Sequence, residues 1–121
     1  MGMTSQEASI SVETIEGITG GVLLIFEGDL DATNVADALK KIDAVLAQSP
    51  SYIIADFKKL RYINSTGLGI LLEVTKRAQE ISCSFRLCHI NSDIQEIIDL
   101  VGVTPLLDIF ATRDAAIASC N

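Results

Sequence analysis

The sequence predicts an α/β fold: a single domain built on a mixed β-sheet with helices packed against it. Three observations predict it. Short runs with strand patterning alternate with longer runs of helical spacing along the chain. The central apolar runs are short and rich in β-branched residues, as strands buried on both faces require. Hydrophobic residues make up 49% of the 121 residues, enough to fill one interior but not two. Aromatics are only 5% with no Trp, so Leu, Ile, Val and Ala must do the filling.

Taken in order, Ser9–Glu16 alternates Ile10, Val12 and Thr14 with polar residues, which predicts a half-buried strand towards one edge of the sheet. Gly17–Gly21 has turn chemistry, and Val22–Glu27 predicts a second strand, antiparallel to the first. Gly28–Asn34 (G-D-L-D-A-T-N) is polar and turn-prone and ends in two N-cap candidates, Thr33 and Asn34. Val35, Ala38, Leu39, Ile42, Val45 and Leu46 then recur at helical spacing over Val35–Ala47, and Pro50 closes that segment.

Tyr52–Phe57 predicts a buried central strand, Lys58–Ile63 a basic loop, and Ser65–Ile81 a long helix. Ser84–Ile90 follows as a strand. Asp93–Val101 carries Ile94, Ile97, Ile98 and Val101 on one helical face, with Gly102 placed for a left-handed C-terminal cap and Pro105 just beyond. Leu106–Phe110 and Arg113–Ser119 complete the order β-β-α-β-α-β-α-β-α.

Composition excludes several function classes. A formal charge of -7 and the lack of a basic stripe argue against nucleic acid. No apolar run approaches the roughly 20 residues a membrane helix needs, so no membrane insertion is expected. The first residues carry neither a basic region nor an apolar stretch, so a secretory signal is not expected; the Met-Gly-Met start reads as an expression scar within a tail over residues 1–8. Cys83, Cys88 and Cys120 form no C-x-x-C pair and share the chain with a single histidine, His89, which predicts reduced cytoplasmic thiols rather than a metal site. No cofactor is expected.

The chemistry-bearing stretch is Asp56–Leu72, D-F-K-K-L-R-Y-I-N-S-T-G-L-G-I-L-L. A buried strand ends near Asp56, a basic loop follows, and Asn64-Ser65-Thr66-Gly67 opens a helix. The first turn of a helix has backbone N–H groups without intrahelical partners, and its dipole favours negative charge there. Asn64 or Ser65 is thus a cap, and the hydroxyls of Ser65 and Thr66 stand at an exposed corner suited to an anion or a phosphate. Gly67 and Gly69 each cost a helix about 1 kcal/mol relative to Ala, which points to close approach of a neighbouring loop or a partner. Enzyme motifs fail. Ser65 is preceded at two residues by Ile63, not by the Gly of a nucleophile elbow, and no Lys follows Gly69 as a phosphate-cradling loop requires. His89 lies among apolar residues and reads as structural.

These residues resemble the STAS domain family, in particular the bacterial anti-sigma factor antagonists. Ile63–Leu72 (I-N-S-T-G-L-G-I-L-L) is similar to the family's D-S-[ST]-G-L-G signature, and Gly28–Asp31 (G-D-L-D) is similar to its G-E-L-D. The resemblance covers residues 9–118 in order and type of elements. It implies a mixed β-sheet with helices packed mainly on one side, and a regulator without catalysis of its own. Unphosphorylated, such a protein binds an anti-sigma factor that doubles as a serine kinase. Phosphorylation of the motif serine, here Ser65, releases it, and a PP2C-type phosphatase resets the switch. Thr66 matches the next motif position, a secondary phosphorylation or contact site. The resemblance implies partner contact at Asp29, Asp31, Asn64, Gly67 and Leu68. Asn64 stands where the family has Asp, which removes a negative charge beside the hydroxyl but keeps a helix cap. Asp56, near the end of a buried strand, is read as an organiser of the Lys58–Arg61 loop. The alternative within the family is a non-phosphorylated accessory subunit of a lipid or anion transport system.

Overall fold

A hairpin opens the sheet. In the computed structural model, which describes residues 9–120, β1 (Ser9–Thr14) lies antiparallel to β2 (Gly21–Leu30). The tail read over residues 1–8 lies outside the described residues. β1 stops at Thr14, two residues earlier than the alternation suggests, because Ile15 already begins the turn: its carbonyl accepts from Ile18 N–H at 3.2 Å.

The remaining elements are α1 (Val35–Leu46), β3 (Tyr52–Ile63), α2 (Ser65–Glu80), β4 (Ser84–Cys88), α3 (Ser92–Leu100), a 3₁₀ turn (Thr104–Leu106), β5 (Asp108–Phe110) and α4 (Arg113–Ala118). The five strands lie in the order β1-β2-β3-β4-β5, with β2 to β5 parallel. The expected order of elements holds throughout. Gly102 adopts the left-handed conformation (φ +78°) foreseen for it after α3.

The main core lies on one face of the sheet, where α1, α2 and α3 pack Ile42, Leu71, Val74, Ile94 and Ile98 against Leu24, Phe26, Ile53, Phe57 and Leu87. Phe26 and Phe57 meet edge-on with ring centroids 4.9 Å apart, a contact worth about 0.5–1.5 kcal/mol beyond area burial. Among the described residues α4 is the one helix on the other face, with Ala116 beside Leu23, Ile54, Cys88 and Cys120, joined by Ile15 and Ile18 from the β1–β2 turn. The helices therefore do sit mainly on one side. All three cysteines are free and buried.

Two segments expected to be turns or loops are strand. β2 runs on through Gly28-Asp29-Leu30, and β3 runs on through Lys58–Ile63. Their pairing explains it. Lys59 meets Glu27 opposite it in the ladder and Arg61, the extra residue of a bulge, reaches Asp29, each at 3.3 Å, while Leu60 and Ile63 are buried. The pattern was hidden because β3 carries one extra residue in each of two bulges: Asp56 to Lys59 spans Ile25 to Glu27, and Leu60 to Tyr62 spans Gly28 to Asp29. A bulge breaks the period of two by which a strand is read.

Candidate functional site at the start of α2

The ends of β2 and β3 lie side by side, Leu30 opposite Ile63, and the chain turns from Ile63 directly into α2. Asn64 makes that turn. Its backbone is extended (φ -101°, ψ -173°), its N–H donates to the Leu30 carbonyl at 3.2 Å, and its Oδ1 accepts from Gly67 N–H at 2.9 Å. Its carbonyl accepts from Leu68 N–H at 2.8 Å. Of the two caps the sequence offers, Asn64 and Ser65, Asn64 is therefore the cap of α2, and Asn in place of the signature's Asp leaves capping intact.

Gly67 shows why the motif excludes a side chain. A Cβ on it would lie 2.5 Å from the Leu30 carbonyl oxygen and 2.7 Å from Ile63 Cγ1. The neighbouring segment foreseen to approach, read from the sequence as the Gly28–Asn34 loop, is the end of β2. Gly69 is exposed and has open space where a Cβ would go. Leu68 is only 4% exposed and packs in the main core. Gly67 and Leu68 thus offer a partner little surface; they hold the corner in shape.

Ser65 and Thr66 are exposed on the first turn, and their amides have no partner within the helix. The hydroxyls stand at the positive end of a 16-residue helix dipole. A phosphate here would meet unused N–H donors rather than carboxylates of its own helix turn, which contains no acidic residue.

Beside this corner lies the loop after β2. Asn34, 2% exposed, accepts from Ala38 N–H through its carbonyl at 3.0 Å but gives α1 no side-chain cap bond. Its Nδ2 donates to the Asp29 carbonyl at 2.7 Å and its Oδ1 accepts from Asp31 N–H at 3.0 Å, closing the loop on itself. Asp31 Oδ1 accepts from both the hydroxyl and the N–H of Thr33, which holds the Asp31 carboxyl below its ordinary value. Asp29 is engaged by Arg61. The structure thus brings Asp29, Asp31, Asn64, Ser65, Thr66 and Gly67 to the paired ends of β2 and β3.

Sequence reasoning missed three participants. Asn34 was read only as a helix cap. Asn91 caps α3 and also reaches Leu60 and Arg61, some 30 residues away, although Asn-Ser-Asp ahead of Ile94 is a cap signature. Arg113 pairs with buried Asp56 at 2.9 Å, a contact over 57 residues that no local pattern announces. Asp56 itself accepts from Lys58 N–H at 2.9 Å, the organising role expected of it. His89 is structural, accepting from Arg113 N–H through Nε2 at 3.2 Å. Among the described residues no helix is long and apolar enough to cross a membrane.

Comparison with known proteins agrees with this architecture. The STAS domain family profile matches residues 9–116. BtrV of Bordetella bronchiseptica, by name a candidate anti-sigma factor antagonist, is 23% identical over 106 residues, covering 88% of this chain and 91% of its own. The crystal structure of an anti-sigma factor antagonist from Mycobacterium paratuberculosis superposes with a TM-score of 0.85 at 20% identity, over 97% of both chains. The Bacillus cell fate determinant SpoIIAA in its phosphorylated form gives a TM-score of 0.71 at 21% identity, over 93% of this chain and all of that one.

Proposed function

The chain belongs to the STAS domain family, and from that premise we propose that it is an anti-sigma factor antagonist switched by phosphorylation of Ser65. Unphosphorylated, it binds an anti-sigma factor that is also a serine kinase. The kinase phosphorylates Ser65, the complex dissociates, and a PP2C-type phosphatase restores the binding form. Thr66 is a second acceptor or contact, and Asp29 and Asp31 border the partner's footprint. The protein works as a binding module in the cytoplasm and catalyses nothing itself. The names of its relatives support the role, and a relative of the same fold has been solved phosphorylated.

One observation carries the reading: Ser65 is exposed on the first turn of a helix whose cap and glycine are locked to the Leu30 carbonyl. That framework is built from backbone and buried groups, so a phosphate on Ser65 leaves it standing. Phosphorylation adds about 1.5 to 2 negative charges. An interface fitted to a neutral hydroxyl loses affinity while the fold persists.

The test is phosphopeptide mapping of the protein from its native host across growth and stress. The tryptic fragment Tyr62–Lys76 holds both hydroxyls. Condition-dependent phosphate on Ser65 is the expected result; its persistent absence would overturn the reading in favour of a non-phosphorylated accessory subunit of a transport system.

A further inference from the structure

Past Asp56, β3 leaves β4 behind. Among the described residues β4 pairs with Tyr52–Asp56 only, and from there to Ile63 the strand alongside is β2 alone. The edge of β3 turned away from β2 therefore has no strand neighbour among the described residues, and this is the stretch that carries both bulges and delivers Ser65. Each bulge coincides with a side chain that takes up backbone groups. At the first, Asp56 Oδ1 accepts from Lys58 N–H. At the second, Asn91 Nδ2 donates to the Leu60 carbonyl at 3.1 Å and the Arg61 carbonyl at 3.3 Å.

Asn91 has a second engagement. Its Oδ1 accepts from Ile94 N–H at 2.8 Å and so caps α3. One amide thus joins two elements, its oxygen ending a helix and its nitrogen clipping a strand edge three residues before Asn64. The choice of residue fits both tasks. Asp and Ser cap a helix about as well as Asn does, but an ionised Asp has no donor and the Ser hydroxyl sits one bond nearer the backbone than the Asn nitrogen.

We infer that Asn91 is a positioning residue for the Ser65 corner: its side-chain NH₂ clips the unpaired, bulged edge of β3 and fixes the direction in which the chain enters Asn64-Ser65. The inference takes its functional meaning from the phosphorylation reading, yet its geometry is tested without it.

The experiment is amide hydrogen exchange by NMR on the full chain as wild type, Asn91→Asp and Asn91→Ser. Both variants keep an oxygen to cap α3, and Ser controls for the charge Asp adds. The expected result is exchange about three- to tenfold faster at Asn64, Gly67 and Leu68, from loss of the clip, with Ile94 and Ile98 protected as in wild type. Wild-type protection at the corner would overturn the inference, and so would equal acceleration at the corner and in α3, which marks Asn91 as a helix cap only. Absence of phosphate from Ser65 in the native host would remove the phosphorylation reading and leave this exchange result standing.

Discussion

Gly67 and Leu30 are in contact through backbone alone: the space a Gly67 side chain would fill is taken by the Leu30 carbonyl oxygen, 2.5 Å from the ideal Cβ position. The same carbonyl accepts from Asn64 N–H. The end of β2 is thereby a template on which the first turn of α2 is laid, and the exposed hydroxyls of Ser65 and Thr66 inherit their position from it.

The two motif glycines should accordingly respond in opposite ways. Gly67→Ala forces the β2 end and Ile63 to shift and should destabilise by about 1–3 kcal/mol despite its better helix propensity. Gly69→Ala meets open space and should stabilise by about 0.5–1 kcal/mol. Urea melts of both variants check the contrast; a neutral Gly67→Ala would mean that the β2 template yields easily.

Ser65→Asp and Ser65→Ala should both stay within about 0.5 kcal/mol of wild-type stability, because the exposed side chain supports no core contact. Calorimetry against the anti-sigma factor of the native host should then separate them. Ser65→Ala keeps affinity and resists switching, whereas Ser65→Asp loses about two to three decades, the equivalent of roughly 3–4 kcal/mol. Equal affinity of Ser65→Asp and wild type would sink the charge-switch account.

Burial pushes the Cys83 thiol up to about 11 and the Cys88 thiol up to about 12, the latter helped by the Asp56 carboxylate. Both thiols should therefore react with a disulfide reagent at pH 8 far more slowly in the folded protein than in urea. The folded values lie above the unfolded one. This stability is fully present below the unfolded thiol pKa of about 8.5 and drains away as pH rises towards 11–12. A urea midpoint that falls between pH 8 and pH 10.5 less in Cys88→Ala than in wild type is the expected observation.

Asp31 titrates in the other direction. Its carboxyl is held low by Thr33, so the stability it adds is present above the unfolded carboxylate value and is lost as pH falls through the folded one. Thr33→Val removes the hydroxyl donor and keeps the N–H. The Asp31 carboxyl followed by NMR should move up towards its ordinary value, and an unmoved titration would show that the backbone donor alone sets it.

Arg113 anchors the start of α4 on Asp56, a carboxylate only 2% exposed. Removing the cation in Arg113→Ala leaves Asp56 with the Lys58 N–H as its remaining partner. The loss should be about 2 kcal/mol, less than for a fully buried pair because the Arg113 side chain is 40% exposed. The variant Asp56→Asn, which removes the buried charge as well, should recover part of that loss in the Arg113→Ala background; a double-mutant cycle reads it directly.

By itself the sequence determined the fold class, the order of elements, the apolar faces of α1 and α3, and a cap for α2 at Asn64 or Ser65. All of these rest on spacing within a dozen residues, which propensity and periodicity report. The structure decided what lies across longer separations. Lys58–Ile63 became strand because the end of β2 pairs with it, Gly28 opposite Leu60 and Leu30 opposite Ile63, and the Leu60 and Ile63 side chains are buried. Asn34 turned from helix cap to loop tie because the Asp29 carbonyl came within 2.7 Å. Leu68, part of the motif, faces inward because α2 lies on the sheet. Bulges shift side-chain phase, and hydrogen bonds to carbonyls 30 residues away carry no compositional signature, so the placement of the Ser65 corner exists only once β2, β3 and α3 are packed together.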